Sequence, residues 1–417
     1  MLASMRTETA NVLPPPGALA APPAPGFAKL RLVKKVTHRK HAATFVIAAG
    51  GTGGHVLPGL EVARELRARG HDCCFAGTPR GLEGRLVPAA GFPIEFVAAG
   101  ALKQVSMARG FQTFAGMPRA LIAAREILER RRPAAVLGLG GYASGPVMLM
   151  ALARDVPVVL LEPNAKPGLA NRLAGPFAAW ALLGFAEAGG YFPDRRQAFS
   201  GIPIREEFFN LPARTQRNPF TVLVTGGSQG SRRINQAVLA AARTWADDRR
   251  LSNIRLLHQT GEKEFEEVRS AYEAAGIDVE VSPFFDDMPR AFGEADVVVC
   301  RAGASAVAEL NAAGKASILV PYPFAADQHQ LRNAEAMEQA GAARLVLDEE
   351  LTAERLTAEI ANLLDNPGRL EQMEAAARSR ALSGAARRAA DRLESVVGIS
   401  CNTVPIGPFE PRSGAGS

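Results

Sequence analysis

The chain has 417 residues and a mass of 44.1 kDa, a length that predicts two domains. Hydrophobic residues make up 47% of the sequence and charged residues 22%, which excludes a wholly disordered chain, and no apolar stretch of about 18 residues suggests a membrane-spanning helix. Four scattered cysteines without a Cys-x-x-Cys pair argue against a disulfide scaffold and against a zinc or iron–sulfur site, and they fit a reducing cytosol.

The charge is distributed unevenly. The first 210 residues carry 25 Lys and Arg against 14 Asp and Glu, whereas the remainder carries 23 against 28. This asymmetry predicts that the first half faces an anionic surface, either nucleic acid or an acidic membrane leaflet.

Both ends of the chain have compositions typical of segments without a core. Residues 1–43 are rich in Pro and Ala and then basic between Lys29 and His41, which predicts a disordered tail, with an electrostatic membrane tether as the alternative. Residues 396–417 are rich in Pro and Gly and are predicted to be a second disordered tail.

Between these tails, short apolar runs alternate with stretches of helical periodicity. The predicted strands are Thr44–Ala49, His71–Ala76, Ala134–Leu139, Val156–Leu161, Phe220–Thr225, Ile254–His258, Val279–Val281, Val297–Cys300 and Ser317–Val320. The alternation predicts an α/β fold with parallel sheets, and its restart at Phe220 predicts two Rossmann-like domains, 44–205 and 206–395, with a ligand-binding cleft between them.

A glycine-rich turn follows the first predicted strand. In Gly50-Gly51-Thr52-Gly53-Gly54-His55, backbone N–H groups can approach an anion closely, and the N-terminus of the next helix adds positive potential. The turn lacks the Gly-Lys-Ser/Thr of a Walker loop and the third glycine of a dinucleotide fingerprint. His55 is a candidate general base because imidazole titrates near neutral pH, and a structural histidine is the alternative.

Two further motifs belong to the first half. Gly140-Gly141-Tyr142-Ala143-Ser144-Gly145-Pro146 is another strand–turn–helix junction. Glu162, at the end of a predicted strand, is a second candidate base or a residue that orients its neighbours, unless it is a strand-end carboxylate in water.

The second half repeats the phosphate-loop pattern. Gly226-Gly227-Ser228-Gln229-Gly230-Ser231 follows Phe220–Thr225, so main-chain donors, the Ser228 hydroxyl and a helix dipole can hold a diphosphate. An ordinary tight turn is the alternative, but two such loops, each on the first strand of its domain, make coincidence a weaker explanation.

Polar residues follow two more strands of the second half. Arg301 ends the run Val297–Cys300, and Glu309 lies one helical turn after Ser305, where a carboxylate can accept both hydroxyls of a ribose; a helix-surface Glu is the alternative. Asp327-Gln328-His329-Gln330 supplies donors suited to sugar hydroxyls, although Asp327 also suits a helix cap.

A stretch of the first half combines apolar and exclusively basic residues. Met107, Phe111, Phe114 and Leu121 share one helical face among Lys103, Arg109, Arg119 and Arg125. Most such stripes belong to a core, but this one also fits a helix that lies on an anionic membrane.

As a set and in this order, the motifs resemble the MurG family of UDP-N-acetylglucosamine transferases, glycosyltransferase family 28. The resemblance covers about residues 44–395 and is carried by GGTGGH, GGYASGP, EPNAKPGLANR, GGSQGS, Phe284–Met288, VVVCRAG with Glu309, and DQHQ. It implies a GT-B fold, in which two Rossmann-like domains flank a deep cleft, the second binds UDP-GlcNAc and the first binds lipid I.

The resemblance also implies roles for individual residues. The donor diphosphate is expected near Ser228, Gln229 and Arg205, and the uracil near the backbone of Phe285. The nucleotide is expected near Arg301, the ribose at Glu309 and the GlcNAc hydroxyls at His329 and Gln330. The donor site is completed by Thr52, Gly53 and Asn164. The residues expected near the diphosphate of lipid I are Gly51, Thr52, Gly53, Gly54, Tyr142 and Ser144, and those expected at the membrane are Val105, Met107, Arg109, Phe111, Phe114 and Arg119. The family commonly has His-Glu-Gln-Asn where this chain has Leu161-Glu162-Pro163-Asn164, so no role of that His or Gln is transferred.

The implied reaction is inverting transfer of GlcNAc to the C4 hydroxyl of MurNAc in lipid I, which forms lipid II for peptidoglycan. His55 is the expected base and Glu162 the second choice, and no catalytic metal is expected because the chain has no Asp-x-Asp. The implied location is the cytoplasmic face of the inner membrane, peripherally bound, with a cell-wall synthesis complex as a further partner.

Three other functions compete with this one. A glycolipid synthase and a UDP-GlcNAc 2-epimerase are enzyme alternatives, and a catalytically inactive scaffold that binds a nucleotide sugar or lipid I is the non-enzyme alternative. No nucleic acid partner is expected, since aromatic residues are only 6% and no recognition motif accompanies the charge.

Overall fold

The computed structural model describes residues 42–50, 53–79, 81–97, 110–214, 216–245, 248, 251–325 and 328–399, with side chains from residue 54 in the first helix and from residue 116 in the third. Two parallel α/β units follow each other along this part of the chain.

The first unit is built on a seven-stranded parallel sheet. Its strands are β1 (Thr44–Ala49), β2 (Asp72–Gly77), β3 (Ile94–Phe96), β4 (Ala135–Gly140), β5 (Val158–Glu162), β6 (Trp180–Leu183) and β7 (Gln197–Phe199). The order is β3-β2-β1-β4-β5-β6-β7, so the strand order reverses between β1 and β4. In open α/β sheets, the carboxyl ends of the strands at such a reversal form the ligand crevice.

Helices cover both faces of this sheet. They are α1 (Gly53–Ala68), α2 (Glu83–Ala89), α3 (Gly110–Arg131), α4 (Ser144–Ala153) and α5 (Leu169–Ala174), with 3-10 turns at Gly175–Phe177, Ala186–Tyr191 and Asp194–Arg196. Along β1, Phe45 and Ile47 enter one hydrophobic cluster while Val46 and Ala48 enter the other. This alternation with period two is what a strand buried on both faces requires.

The second unit is built on a six-stranded parallel sheet. Its strands are β8 (Phe220–Thr225), β9 (Ile254–Gln259), β10 (Val279–Ser282), β11 (Val297–Cys300), β12 (Ala316–Leu319) and β13 (Ala343–Leu345), in the order β10-β9-β8-β11-β12-β13. Its helices are α6 (Arg232–Trp245), α7 (Phe265–Ala274), α8 (Met288–Glu294), α9 (Ala304–Ala313), α10 (His329–Gln339), α11 (Ala353–Asp365) and α12 (Pro367–Ser379), with 3-10 turns at Glu206–Asn210 and Asp348–Glu350. Two Rossmann-like units confirm the fold class predicted from the sequence.

A final helix, α13 (Ala385–Val396), returns to the first unit. Ala389, Ala390 and Leu393 are buried in the hydrophobic cluster that contains β1. Arg69 at the end of α1 lies 2.6 Å from both Asp391 and Glu394. The last helix therefore ties the two units together, although it follows the second in sequence.

None of the helices that the structure describes combines the length and the apolar character needed to cross a membrane.

Candidate active site

The first unit's side of the cleft is formed by the turns after β1 and β4, which touch through their backbones. A Cβ added at Gly141, whose φ is +85°, would lie 2.1 Å from the carbonyl oxygen of Gly50. Only glycine allows this contact and this backbone conformation. Gly50 and Gly141, one from each glycine-rich motif, are therefore in contact at the sheet's switch point.

His55 lies beside this contact, in the first turn of α1, and is half-buried. Its Nε2 is 3.4 Å from the position that a Cβ on Gly140 would occupy. The pKa of His55 is lowered to about 4, chiefly by burial and also by the charge of His329, while the charge of Glu83 opposes both. The imidazole is therefore neutral near pH 7, the form that can accept a proton.

Glu162, at the end of β5, is almost fully buried and accepts four hydrogen bonds. Its Oε1 accepts from the backbone N–H and the Nδ2 of Asn164 at 2.9 and 3.2 Å, and its Oε2 accepts from the N–H of Gly168 at 3.2 Å and from Nδ2 of Asn171 at 2.9 Å. Burial raises the pKa of Glu162 to about 7, against the effect of these hydrogen bonds. Because both oxygens are engaged, the geometry favours the orienting interpretation of Glu162 over that of a base.

The other polar residues of this side differ in exposure. Tyr142 is exposed, whereas Ser144 is fully buried and its Oγ accepts the N–H of Gly140 at 3.4 Å. Ser144 thus supports the turn in this structure, away from the surface of the cleft. Asn164 is buried and shapes the loop after β5 through its bonds to Glu162.

Glu83 is a residue of this site that sequence reasoning missed. It is fully buried at the start of α2, and its Oε1 accepts from both the N–H and the Oγ1 of Thr78 at 2.8 Å. A Cβ on Gly77 would lie 2.5 Å from its Cγ and 3.2 Å from the carbonyl oxygen of Ala49. Glu83 therefore places a carboxylate beneath the end of β1. The feature of the sequence that could have indicated it is an acidic residue shortly after the Gly-Thr pair that ends β2.

The second unit's side of the cleft begins with the loop after β8. Cβ atoms at Gly226 and Gly230 would lie 2.2 Å from the backbone N of Ser231 and 2.0 Å from the carbonyl oxygen of Thr260, so glycine is required at both positions. Within the loop, Ser228 is half-buried and Gln229 is exposed. This is the expected shape of a phosphate-binding turn.

Gln259, at the end of β9, joins this loop to the segment that contains Phe285. Its Nε2 donates to Oγ1 of Thr225 at 3.0 Å and to the carbonyl of Gly227 at 3.1 Å, and its Oε1 accepts the N–H of Phe285 at 2.9 Å. The N–H of Phe285 is therefore already paired in this structure. Sequence reasoning missed Gln259; the signal was a glutamine directly after the predicted strand Ile254–His258.

Arg301 follows β11 and connects three segments. Its Nη1 donates to the carbonyls of Val320 and Pro321 at 3.1 and 3.2 Å and to Oδ1 of Asp348 at 2.5 Å. Its Nη2 donates to Oγ of Ser231 at 2.7 Å. The guanidinium thus holds the end of the glycine-rich loop, which places it beside the predicted nucleotide site.

Glu309 is a half-buried residue of α9, near Arg205 in the linker that joins β7 to β8. The pKa of Glu309 is raised to about 7, chiefly by burial and to a smaller extent by the charge of Glu61 on α1, while the charge of Arg205 opposes both. Arg205 Nη1 also donates to the carbonyl of Asp286 at 3.4 Å. Groups from α1, the linker and α9 therefore meet in the cleft.

Helix α10 carries the predicted sugar-binding residues. Oε1 of Gln330 accepts the N–H of Tyr322 at 3.0 Å, and His329 interacts electrostatically with His55. One turn after His329, the fully buried Asn333 accepts the N–H of Ala165 at 3.4 Å and donates to the carbonyl of Ala302 at 3.1 Å. Asn333, which sequence reasoning missed, thus links α10 to the loop that Glu162 organises.

Several predicted residues lie outside the described part of the chain, namely Gly51, Thr52, Val105, Met107, Arg109 and Asp327. Gly53 and Gly54 begin α1, Phe111 and Phe114 lie in α3 without described side chains, and Arg119 is exposed on α3. Among the described residues, no group of three or more His, Cys, Asp or Glu side chains is arranged to hold a metal ion.

Comparison with known proteins gives the same division of the chain. The models of the glycosyltransferase family 28 N-terminal and C-terminal domains match residues 45–182 and 221–392. A protein of Solibacter usitatus named UDP-N-acetylglucosamine–N-acetylmuramyl-(pentapeptide) pyrophosphoryl-undecaprenol N-acetylglucosamine transferase is 48% identical over 85% of this chain and 96% of its own length.

Two further proteins are similar. One of the same name from Citrifermentans bemidjiense is 40% identical over 82% of this chain and 96% of its own length. The crystal structure of Acinetobacter baumannii MurG matches with a TM-score of 0.68 and 29% identity, covering 85% of this chain and all of that one.

Proposed function

Because this chain belongs to glycosyltransferase family 28, we propose that it transfers N-acetylglucosamine from UDP-GlcNAc to the C4 hydroxyl of MurNAc in lipid I, with inversion at C1. The product is lipid II, a peptidoglycan precursor. The relatives named as this transferase cover most of the chain and are themselves covered almost completely.

One observation carries the proposal, namely that His55 and His329 are close enough for one charge to influence the other. His55 belongs to the first unit and His329 to the helix of the second unit that carries the predicted sugar-binding residues. A base that takes a proton from the acceptor hydroxyl must lie beside the sugar that the hydroxyl attacks. The juxtaposition supports a reaction in which acceptor and donor meet between these two side chains.

The donor is expected to bind along the carboxyl ends of β8, β9 and β11. Backbone N–H groups of the 226–231 loop face the diphosphate, Gln259 and Phe285 hold the segment at the uracil, and Glu309 accepts the ribose hydroxyls. The sequence and contacts of these segments support this placement, and His329 and Gln330 then reach the GlcNAc hydroxyls.

The chemical step separates charge in the cleft. His55 takes the proton of the C4 hydroxyl as its oxygen bonds to C1, and the bond from C1 to the UDP oxygen breaks through an oxocarbenium-like transition state. Charge that develops on UDP is stabilised by loop N–H groups and by Arg205, which is the cation that reaches the cleft from the linker. No metal participates in this scheme.

The lipid-linked acceptor places the reaction at a membrane surface. Helices α3, α4 and α5 pack side by side, and they and the turn that follows expose large apolar side chains: Ile122, Leu149, Leu169, Leu173 and Phe177. Basic residues on or near the same helices are Arg119, Arg125, Lys166 and Arg172. This combination supports peripheral binding to an anionic leaflet, on the cytoplasmic face where nucleotide sugars are found, and a cell-wall synthesis complex is a further partner on this proposal.

The test is UDP release from UDP-GlcNAc with and without a short-chain lipid I analogue, in excess EDTA. Analogue-dependent release with a disaccharide product is the expected result. Donor binding without analogue-dependent release would instead favour a different lipid acceptor, and conversion of UDP-GlcNAc without any acceptor would favour a 2-epimerase. Binding of both ligands without turnover would indicate an inactive scaffold.

A further inference from the structure

A chain of polar side chains crosses the core of the second unit next to the glycine-rich loop 226–231. His258 in β9, Tyr272 on α7 and Asn235 on α6 are all buried, with exposed fractions of at most 1%. Nδ1 of His258 lies 2.9 Å from the Tyr272 hydroxyl, and its Nε2 lies 3.1 Å from Oδ1 of Asn235. Nδ2 of Asn235 donates to the carbonyl of Thr260 at 3.0 Å and to Oε2 of Glu264 at 2.7 Å. Apolar side chains of matching shape can fill such a space without loss of stability, so this chain calls for a functional explanation.

The acceptor at one end fixes the direction of the hydrogen bonds in this chain. The carbonyl of Thr260 can only accept, so the group of Asn235 that faces it must be the amide nitrogen. Oδ1 of Asn235 therefore faces His258, and Nε2 of His258 must carry the proton that it donates. Nδ1 is left with a lone pair, which accepts the hydroxyl proton of Tyr272. Burial lowers the pKa of His258 to about 3, so the neutral imidazole that this arrangement needs is the form present near pH 7.

The Thr260 carbonyl is the point at which this chain meets the glycine-rich loop. A Cβ added at Gly230 would lie 2.0 Å from this carbonyl oxygen, and one added at Gly261 would lie 2.6 Å from the Cα of Gly230. The backbones of the loop and of residues 260–261 are therefore packed directly on each other. The N–H groups of residues 260 and 261 bond to carbonyls at the end of β10, at 3.0 and 3.1 Å, which holds this backbone on the β10 side. The bond from Asn235 ties it to α6, the helix that follows the loop.

The loop is held from both faces of the sheet. Successive side chains of a strand point to opposite faces, so His258 and Gln259 in β9 reach the loop region from opposite sides. Tyr272, the partner of His258, belongs to the hydrophobic cluster on one face, whereas Phe285, the partner of Gln259, belongs to the cluster on the other. Gln259 bonds directly to the carbonyl of Gly227; His258 acts one residue further away.

We propose that His258 is a positioning residue for the donor site: through Asn235 it fixes the Thr260 carbonyl against which Gly230 packs, and so it sets the shape of the glycine-rich loop before a diphosphate binds. The inference rests on the proposed function, in which this loop holds the diphosphate of UDP-GlcNAc. A loop that already has its bound shape loses less conformational freedom when the ligand arrives, and this difference appears as affinity.

The test compares His258→Leu with His258→Gln, whose amide nitrogen can replace Nε2 as the donor to Asn235. UDP binding measured by isothermal titration should weaken about tenfold in His258→Leu, because the unpaired Oδ1 of Asn235 frees the amide that holds Thr260. In His258→Gln the affinity should return to within about twofold of the parent. Normal UDP affinity in a folded His258→Leu protein would overturn the proposal, and so would a loss of affinity that His258→Gln does not restore.

Tyr272→Phe is the matched control, since it removes the hydroxyl on the side of His258 away from Asn235. It should lower the midpoint of urea unfolding and leave UDP affinity unchanged. If it weakens UDP binding as much as His258→Leu does, the chain of side chains supports only the fold. Should His258→Leu not fold, Asn235→Ala interrupts the same chain, and undiminished UDP binding by that variant would equally contradict the proposal.

Hydrogen exchange in the ligand-free protein separates this inference from the proposed function. Amides of residues 226–231 should exchange faster in His258→Leu than in the parent and in Tyr272→Phe, and unchanged exchange would overturn the role of His258. A parent protein that shows this pattern but does not bind UDP would refute the donor site and leave the role of His258 in shaping the loop intact.

Discussion

Oε1 of Gln259 accepts the backbone N–H of Phe285 at 2.9 Å, while Nε2 of the same side chain donates to the carbonyl of Gly227 at 3.1 Å. One buried amide thus couples the glycine-rich loop of the second unit to the segment predicted at the uracil. The side chain acts together with the backbone bonds from Thr260 and Gly261 to the carbonyls of Ser282 and Pro283, at 3.0 and 3.1 Å.

Replacing Gln259 with Leu should weaken UDP-GlcNAc binding about tenfold, because it leaves Phe285 N–H and Gly227 C=O unpaired and loosens both segments. Isothermal titration with UDP-GlcNAc measures this directly. The matched control is Gln197→Leu on β7 of the first unit, where Nε2 bonds to Asp194, and donor affinity should not change there. If the Gln259→Leu protein is less stable but binds the donor normally, Gln259 supports the fold and has no role in donor binding.

His55→Ala should lower kcat about 100- to 10,000-fold, the usual contribution of a general base, with the UDP-GlcNAc dissociation constant changed by less than about threefold. Because the pKa of His55 is lowered to about 4, protonation of this residue should not reduce kcat/KM of the free enzyme until well below pH 6. Steady-state kinetics between pH 5 and 9 test both statements. His71→Ala removes a histidine that contacts Glu394 of α13, away from the cleft; turnover by His55→Ala comparable to that of this control would exclude His55 as the base.

Glu309→Gln should weaken donor binding and yet stabilise the protein above pH 7. The pKa of Glu309 is raised from 4.5 to about 7, so between these values the folded state holds a proton that the unfolded state has lost, and stability decreases as pH rises through this window. The ionised carboxylate therefore costs folding free energy above pH 7 and nothing below about pH 4.5.

The expected gain for Glu309→Gln is about 1–2 kcal/mol at pH 8, after allowance for partial exposure, and it should vanish near pH 4.5. Urea unfolding at the two pH values measures it. Glu371→Gln, at an exposed position of α12, should show no such pH-dependent difference. An equal effect of Glu309→Gln at both pH values would mean that burial of the charge is not what the variant relieves.

Leu169 and Leu173, one turn apart on α5 and both more than half exposed, should contribute to membrane binding. Changing both to Ser should lower binding to vesicles of phosphatidylglycerol and phosphatidylcholine severalfold, since about 0.8 kcal/mol is lost per CH₂ withdrawn from the lipid. Phe324→Ser, a highly exposed position of the second unit, is the control and should leave vesicle binding unchanged. If both variants co-sediment with the vesicles to the same extent, α5 does not contribute to membrane binding.

Local pattern was enough to locate the central strands. The predicted boundaries of Thr44–Ala49, Phe220–Thr225 and Val297–Cys300 are those of β1, β8 and β11, because an apolar run that ends in a glycine-rich or polar turn is a local signal. The short strands β3, β6, β7 and β13 were not predicted. With three residues each, β3, β7 and β13 are too short for periodicity to distinguish them from loops, and it is pairing with a neighbour that makes them strands. Strand β6 has four residues, as many as the predicted β11, so its length does not explain why it was missed.

The candidate site likewise contains some residues that local sequence pattern identifies and others that it does not. Gly226 was recognisable from the sequence because its close approach to the backbone N of Ser231 arises within one turn, and so was the position of His55 next to a similar turn. At Gly230 the close approach is to the carbonyl oxygen of Thr260, thirty positions along the chain. In contrast, other hydrogen bonds of the site join residues that are between 19 and 168 positions apart. They are the four bonds of Arg301, the bonds of Gln259 to two segments, and the bond between Asn333 and Ala165. Spacing along the chain carries no information about such partners.

The sequence by itself determined two parallel α/β units, their glycine-rich turns and the residue types at the strand ends, since all of these follow from local sterics and hydrophobic periodicity. Only the tertiary structure decided that Glu162 is enclosed by four donors, that α13 packs on the first unit, and that His55 and His329 lie close enough for their charges to interact although more than 270 residues separate them along the chain. The physical reason is that burial, hydrogen-bond partners and pKa depend on neighbours in space, and these neighbours are set when the sheets and helices pack.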